Sequence, residues 1–208
     1  APYIVLEHCG AGTLLDQDLT DWPAVRDLVC ALLDALAHAH ARGIVHRDLK
    51  PANVLWASAD DVRPGPKLGD FGIAYAVGGD LGGTAAGSPY YMAPEQATGG
   101  PIGPWTDLFA LGAVTWELCS GSPPFDGAGP VEILVASRRG ILPFLSPTFP
   151  VPRGLEAWLA RLLAPKVGDR FARAADDIEE DLLERHLAGG AICGGSQARF
   201  DAGGRHAF

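Results

Sequence analysis

The sequence predicts an α+β chain, mainly α, with its small β content gathered near the start. Three observations carry that expectation. Apolar residues recur at helical spacing in several separate stretches, whereas only short runs read as strands. Those runs lie before residue 71. With 208 residues, 48% of them hydrophobic, the chain is long enough for one sizeable domain that buries roughly 70% of its unfolded surface.

Taken in order, Tyr3 to Glu7, "YIVLE", is rich in β-formers and is followed at once by "CGAGT", so it is predicted as a buried strand entering a turn. From Pro23 to Arg42, Val25, Leu28, Val29, Leu32, Leu33 and Leu36 form one apolar stripe. Thr20 or Asp21 can cap this long helix, and Gly43 can release it. "VLWA" and "PKLGD" flank the polar turn "SADDVRPG" and predict a hairpin. Gly78 to Gly87 holds five glycines among ten residues and no periodicity, which predicts a mobile loop. Asp107 to Cys119, "DLFALGAVTWELC", is apolar nearly all round and predicts a central buried helix. Leu155, Trp158, Leu159, Leu162 and Leu163 mark another helix, and Ile178, Leu182 and Leu183 a last one. Beyond Leu187, six glycines fall within 21 residues, and residues 188–208 are expected to be a glycine-rich tail or linker.

Composition excludes several function classes. The formal charge of −9 is the opposite of a nucleic-acid footprint, so an anionic ligand must be held by a few placed cations or metals. Cys9, Cys30, Cys119 and Cys193 are scattered and form no C-x-x-C pair, which suggests neither a zinc site nor a disulfide framework and fits a reducing cytoplasm. No apolar run approaches the ~18 residues of a membrane helix, and no signal peptide opens the chain. The chain begins Ala1-Pro2-Tyr3 and its only methionine is Met92, so the natural start is expected upstream.

The densest chemistry is "HRDLKPANVL", His46 to Leu55, where two cations, an acid and an amide surround a proline. Asp70 of "DFG" lies 17 residues beyond Asn53. "GSPYYMAPEQ" (Gly87 to Gln96), "DLFALG" (Asp107 to Gly112), "GSPPF" (Gly121 to Phe125) and the late Arg170 follow in order. This ordered set resembles a eukaryotic-type (Hanks-type) serine/threonine protein kinase, with a composition closer to bacterial members. The resemblance covers about residues 1–187, taken as a partial kinase domain made of the hinge and the C-terminal lobe.

The resemblance implies transfer of the ATP γ-phosphate to a protein Ser or Thr hydroxyl, with ATP and Mg2+ as cofactors. Asp48 would orient and deprotonate the acceptor, Lys50 would face the transferring phosphate, and Asn53 and Asp70 would supply oxygen ligands to magnesium. If "VLEHC" is the hinge, Leu6 is the gatekeeper beside adenine, the backbones of Glu7 and Cys9 bond its edge, Leu55 packs beneath it, and Thr13 lies near the ribose. His46 is expected to brace the loop rather than react, and Asp107 to hydrogen-bond the loop backbone. Glu95 is expected to pair with Arg170. Arg47 would receive a phosphate on the loop, with Thr84 the candidate acceptor and an unmodified loop the alternative. Ser88 would bridge Asp48 and Lys50. "DLKPAN" resembles the serine/threonine form, since tyrosine kinases usually lack that lysine and proline. Homodimerisation is one activation route the resemblance suggests.

The family's G-x-G-x-x-G loop, its V-A-I-K-type lysine and the glutamate paired with that lysine precede the hinge and are not found in these 208 residues. The expected architecture is therefore the large lobe with the N-terminal lobe absent, and the isolated chain is expected to be nearly inactive. A non-catalytic pseudokinase or interaction module is the competing reading. A small-molecule kinase fits poorly, because such enzymes generally lack the A-P-E segment.

Overall fold

The computed structural model describes residues 7–71 and 89–174. Within them the chain is mostly helical with one two-stranded antiparallel sheet. The first long element, α1 (Trp22–His40), starts where Asp21 takes the N-cap: its Oδ1 accepts the Ala24 amide at 2.9 Å, with Pro23 in the first turn. The predicted stripe is the buried face, Val25, Leu28, Val29, Leu32, Leu33 and Leu36, joined by Ala39. The helix closes at the expected glycine: the Gly43 amide donates to His40 O at 2.9 Å and the Ile44 amide to Ala39 O at 3.0 Å.

A short 3₁₀ turn, Pro51–Asn53, leads into β1 (Val54–Ala57), which pairs with β2 (Gly65–Leu68) from Val54↔Leu68 to Ala57↔Gly65. The predicted hairpin is present, but its second strand stops before Gly69 and Asp70. Asp70 adopts φ 51°, a left-handed backbone that cannot continue a strand.

Helix α2 (Pro94–Thr98) is short, and α3 (Pro104–Ser120) is the central helix. The latter begins ahead of the predicted Asp107 because Pro104 fills the first turn, where no amide donor is needed. Its buried residues run around the whole helix from Thr106 to Trp116. α1 packs on one side of it and α5 (Leu155–Leu162) on another. Gly112 permits the second crossing: a Cβ there would lie 2.8 Å from Leu162 Cβ and 3.2 Å from Leu163 Cγ. Between them, α4 (Pro130–Arg139) contacts α2.

Other expectations divide. Of the predicted first strand only Glu7 is described, and it sits in irregular backbone. The strand's remainder, the glycine-rich segment, the helix predicted at Ile178 to Leu183 and the tail from 188 to 208 lie outside the described residues. Among the described residues no helix is long and apolar enough to cross a membrane. Cys9, Cys30 and Cys119 form no disulfide.

Candidate functional site

The site is built where the end of α1, the start of α3 and the hairpin meet. Asp107, in the first turn of α3, is wholly buried and holds the "HRD" backbone. Its Oδ2 accepts the His46 amide and its Oδ1 the Arg47 amide, both at 2.8 Å. Two parallel bonds from one carboxylate fix both position and orientation of the loop. The expected structural task of Asp107 is thus present in the geometry.

His46 is fully buried and braces the loop as expected. Its Nδ1 accepts the Asp48 amide at 3.2 Å, so the ring proton lies on Nε2, which donates to Gly69 O at 2.7 Å. Its ring also meets Phe71, with centroids 4.7 Å apart and planes tilted by 53°. Through this one ring the Asp48 backbone is tied to the residue just before Asp70. A second tie runs from the Gly69 amide to Asn53 O at 2.9 Å.

Asp48 is partly buried. Its Oδ2 accepts from Lys50 Nζ at 2.7 Å and from Asn53 Nδ2 at 2.9 Å; the same Asn53 nitrogen also reaches Asp48 O at 2.7 Å. Pro51 starts the 3₁₀ turn that brings Asn53 back under Asp48. No described donor contacts Oδ1, which leaves that oxygen able to accept a proton. With its amide nitrogen engaged, Asn53 offers only its carbonyl oxygen, and Asp70 presents an exposed carboxylate. An amide oxygen and a carboxylate are the hard donors that suit magnesium rather than zinc or copper.

Arg47, at φ 68°, and Asp70, at φ 51°, are the two non-glycine residues with positive φ among the described residues. Each such conformation costs on the order of 1 kcal/mol or more, and strain of this kind concentrates at functional sites. The surroundings hold Arg47 in place: besides the Asp107 bond to its amide, its carbonyl accepts from Gln96 Nε2 at 2.7 Å. Gln96 in turn accepts the Ala93 amide at 3.0 Å, so α2 is bolted to the loop.

The segment expected to meet the nucleotide runs beside β1. The Ala11 amide donates to Trp56 O at 3.0 Å, the Trp56 amide donates to Gly12 O at 2.8 Å, and Thr13 bridges to Leu55. Thr13 and Leu55 are therefore brought together. Glu7 and Cys9 lie just upstream, with Glu7 3.6 Å from Lys67 Nζ; Leu6 lies outside the described residues. Thr13 does not present a free hydroxyl: it caps a 3₁₀ turn, Leu14–Asp16, and donates to Asp16 Oδ2 through its amide at 2.8 Å and its hydroxyl at 3.1 Å. Those two donors, the amide first, hold the Asp16 carboxyl below its ordinary range. Gly12, at φ 80°, leaves the room: a Cβ there would fall 2.5 Å from Asp16 Oδ2.

The A-P-E region is anchored from beneath. Glu95 and Arg170 form the expected pair, with NH1 to Oε1 at 2.9 Å and NH2 to Oε2 at 3.0 Å. Thr106 Oγ1 adds a bond to Oε1 at 2.9 Å, and the remaining guanidinium donors reach the carbonyls of Ala164, Trp105 and Pro165. Tyr91 donates its hydroxyl to Glu117 on α3 at 2.5 Å. Burial first, then the neighbouring Glu117 and Tyr90, push that phenol above its usual range. Thr84 and Ser88 lie outside the described residues.

Sequence reading missed Asp16, His40, Gln96 and the Tyr91–Glu117 pair. Thr13-Leu14-Leu15-Asp16 has capping-box spacing and could have been found. His40 contacts Asp107 across 67 positions, and no local pattern encodes that.

A loop clamped by a buried aspartate, an acid flanked by lysine and asparagine, and a second acid after a conformational break together define a protein kinase arrangement. Residues 1–163 match the family model described as "Protein kinase domain". The chain belongs to the protein kinase family. It is 38% identical over 181 residues to the serine/threonine-protein kinase Pkn1 of Myxococcus xanthus, covering 84% of this chain and 26% of that protein. To the serine/threonine-protein kinase PknB of Mycobacterium leprae it is 33% identical over 194 residues, covering 89% and 30%. To the serine/threonine-protein kinase PknF of Mycobacterium tuberculosis it is 36% identical over 158 residues, covering 74% and 33%. The chain thus spans 26–33% of the length of these bacterial relatives.

Proposed function

We propose that this chain is the large, C-terminal lobe of a serine/threonine protein kinase, carrying the acceptor side of a site that transfers the γ-phosphate of ATP to a protein hydroxyl. The observation that carries the reading is the state of Asp48: Oδ2 is held by Lys50 and Asn53 while Oδ1 meets no described donor. Asp48 orients the incoming Ser or Thr hydroxyl and takes its proton at Oδ1 as the oxygen attacks phosphorus. Lys50, already at the carboxylate, offers its charge to the phosphoryl oxygens. At ~4 Å and an effective dielectric of 20 such a pair is worth about 4 kcal/mol.

Asn53 and Asp70 would hold magnesium, which when bound neutralises phosphate charge. On the nucleotide side, Leu55 and the backbones of Glu7 and Cys9 would meet adenine, with Leu6, outside the described residues, the gatekeeper that the resemblance implies. Thr13 lies near the ribose, where the Asp16 carboxylate it anchors is the exposed polar group.

The glycine loop and lysine that would grip the α and β phosphates are not found in these 208 residues, and loss of even one preorganised donor costs about 10²- to 10³-fold in rate. The 208-residue chain alone is therefore expected to show almost no magnesium-dependent phosphorylation of a Ser/Thr peptide, whereas the chain joined to a glycine loop and lysine should show it. Robust transfer by the 208-residue chain overturns the first expectation. Absence of transfer from the joined protein would favour the competing reading, a non-catalytic interaction module, against which the intact Asp48, Lys50, Asn53 and Asp70 weigh.

A further inference from the structure

We propose that Gln96 is a positioning residue for Asp48: from the first turn of α2 it fixes the peptide unit that precedes the acid, and so ties that acid to the A-P-E anchor. The consequence for catalysis rests on the reading of Asp48 as the base; the consequence for the loop does not.

Gln96 spans two groups that need opposite partners. The Ala93 amide donates to its Oε1 at 3.0 Å, and its Nε2 donates to Arg47 O, 49 positions away, at 2.7 Å. A side-chain amide accepts at one end and donates at the other, so the two contacts together fix which end is which. Capping α2 accounts only for the oxygen. A glutamate at this place would accept the Ala93 amide equally and would suit the first turn better, because a helix start favours negative charge. Packing does not select glutamine either, since Gln96 is only half-buried. The nitrogen answers to a different partner, the Arg47 carbonyl.

That carbonyl shares one planar peptide unit with the Asp48 amide. Gln96 holds the unit at its oxygen, and His46 Nδ1 accepts from its nitrogen at 3.2 Å. The shorter bond, from Gln96, is the stronger grip. Arg47 itself sits at φ 68°, and its own amide is taken by Asp107 Oδ1 at 2.8 Å. A side-chain-bearing residue stays in the left-handed region only where its surroundings impose it. Asp107 holds the peptide before Arg47, and Gln96 holds the one after. Gln96 also follows directly on Glu95, whose carboxylate is bonded to Arg170 and Thr106. Through Gln96 that anchor reaches the peptide next to Asp48.

Three variants of the 208-residue chain, read by NMR amide exchange, separate the nitrogen from the oxygen. Gln96→Glu keeps the acceptor for Ala93 and loses the donor; Gln96→Lys keeps a donor and loses the acceptor; Gln96→Met loses both. Asp48 amide exchange should quicken about tenfold or more in Gln96→Glu and Gln96→Met and stay within about twofold of wild type in Gln96→Lys, with α5 amides unchanged as the control. A residue that merely caps α2 gives the reverse order, Gln96→Glu intact and Gln96→Lys impaired. In the complete kinase, Gln96→Glu should lower kcat about tenfold with KM for ATP little altered, and Gln96→Lys should recover most of it. Wild-type Asp48 exchange in Gln96→Glu, or Gln96→Lys as impaired as Gln96→Met, overturns the proposal. If Gln96→Met does not fold, the order of Gln96→Glu and Gln96→Lys decides it. A wild-type complete kinase that transfers no phosphate removes the catalytic reading of Asp48, while the exchange result still judges the hold on the loop.

Discussion

At the residue scale, function depends on which lone pairs are already taken. Among the described residues, Asp48 has one oxygen satisfied and one without a donor, and Lys50 and Asn53, two and five positions away, supply that asymmetry. The sequence placed Asp48, Lys50 and Asn53 in one cluster, with Lys50 read toward a phosphate and Asn53 toward magnesium, but their bonds to a single oxygen of Asp48 were not read from it. Thr13 was legible only as a position: its donors are spent on Asp16, which a linear reading placed nowhere. Replacing Thr13 with Val removes the hydroxyl and leaves the amide, so the Asp16 pKa should rise part of the way back to an ordinary carboxylate value in an NMR titration. Because the folded value is depressed, Asp16 contributes stability above its unfolded pKa, and that contribution is lost as pH falls through the folded value. Cys119 illustrates the opposite case. Burial pushes its thiol up to about 12, so at pH 8 it should resist thiol reagents that label half-buried Cys9, and react only when denaturant opens the core. Mass spectrometry of the labelled peptides reads both sites.

At the scale of elements, the helices that the sequence announced are those that bury a continuous stripe or are buried all round. α1, α3 and α5 fall within a few residues of their expected spans, with the shifts set by prolines and caps. The sequence reading did not anticipate α4. Its apolar residues Val131 and Val135 are exposed while Ile133 and Ser137 are buried, so the hydrophobic pattern carries no clear face. The anchor between α2 and the segment after α5 was legible as a pair, Glu95 with Arg170, but not as a network with Thr106 and three carbonyls. Arg170→Met leaves the Glu95 carboxylate buried with the Thr106 hydroxyl as its one donor among the described residues. The expected loss is about 3–5 kcal/mol, read as a drop in the denaturant midpoint at constant slope. A change within about 0.5 kcal/mol, the usual range for surface positions, would show that water replaces the guanidinium at no cost.

At the scale of the molecule, α3 is the common support. It carries Asp107 toward the loop, Thr106 toward Glu95 and Glu117 toward Tyr91, so one rigid buried helix sets the relative placement of the acid, the A-P-E anchor and the phenol. The sequence displayed that helix as an apolar run, and the resemblance implied the task of Asp107, but the bonds of Thr106 and Glu117, to partners 11 and 26 positions away, were not legible. Asp48 is the residue that this support holds and whose Oδ1 meets no donor among the described residues. The direct test is Asp48→Asn in the complete kinase, assayed for magnesium-dependent phosphate transfer to a Ser/Thr peptide. Asn preserves shape and most contacts but cannot take the hydroxyl proton, so kcat should fall by about 10² to 10⁴ with KM for ATP little changed. Phosphorylation at the wild-type rate would contradict the assignment of Asp48 as the base.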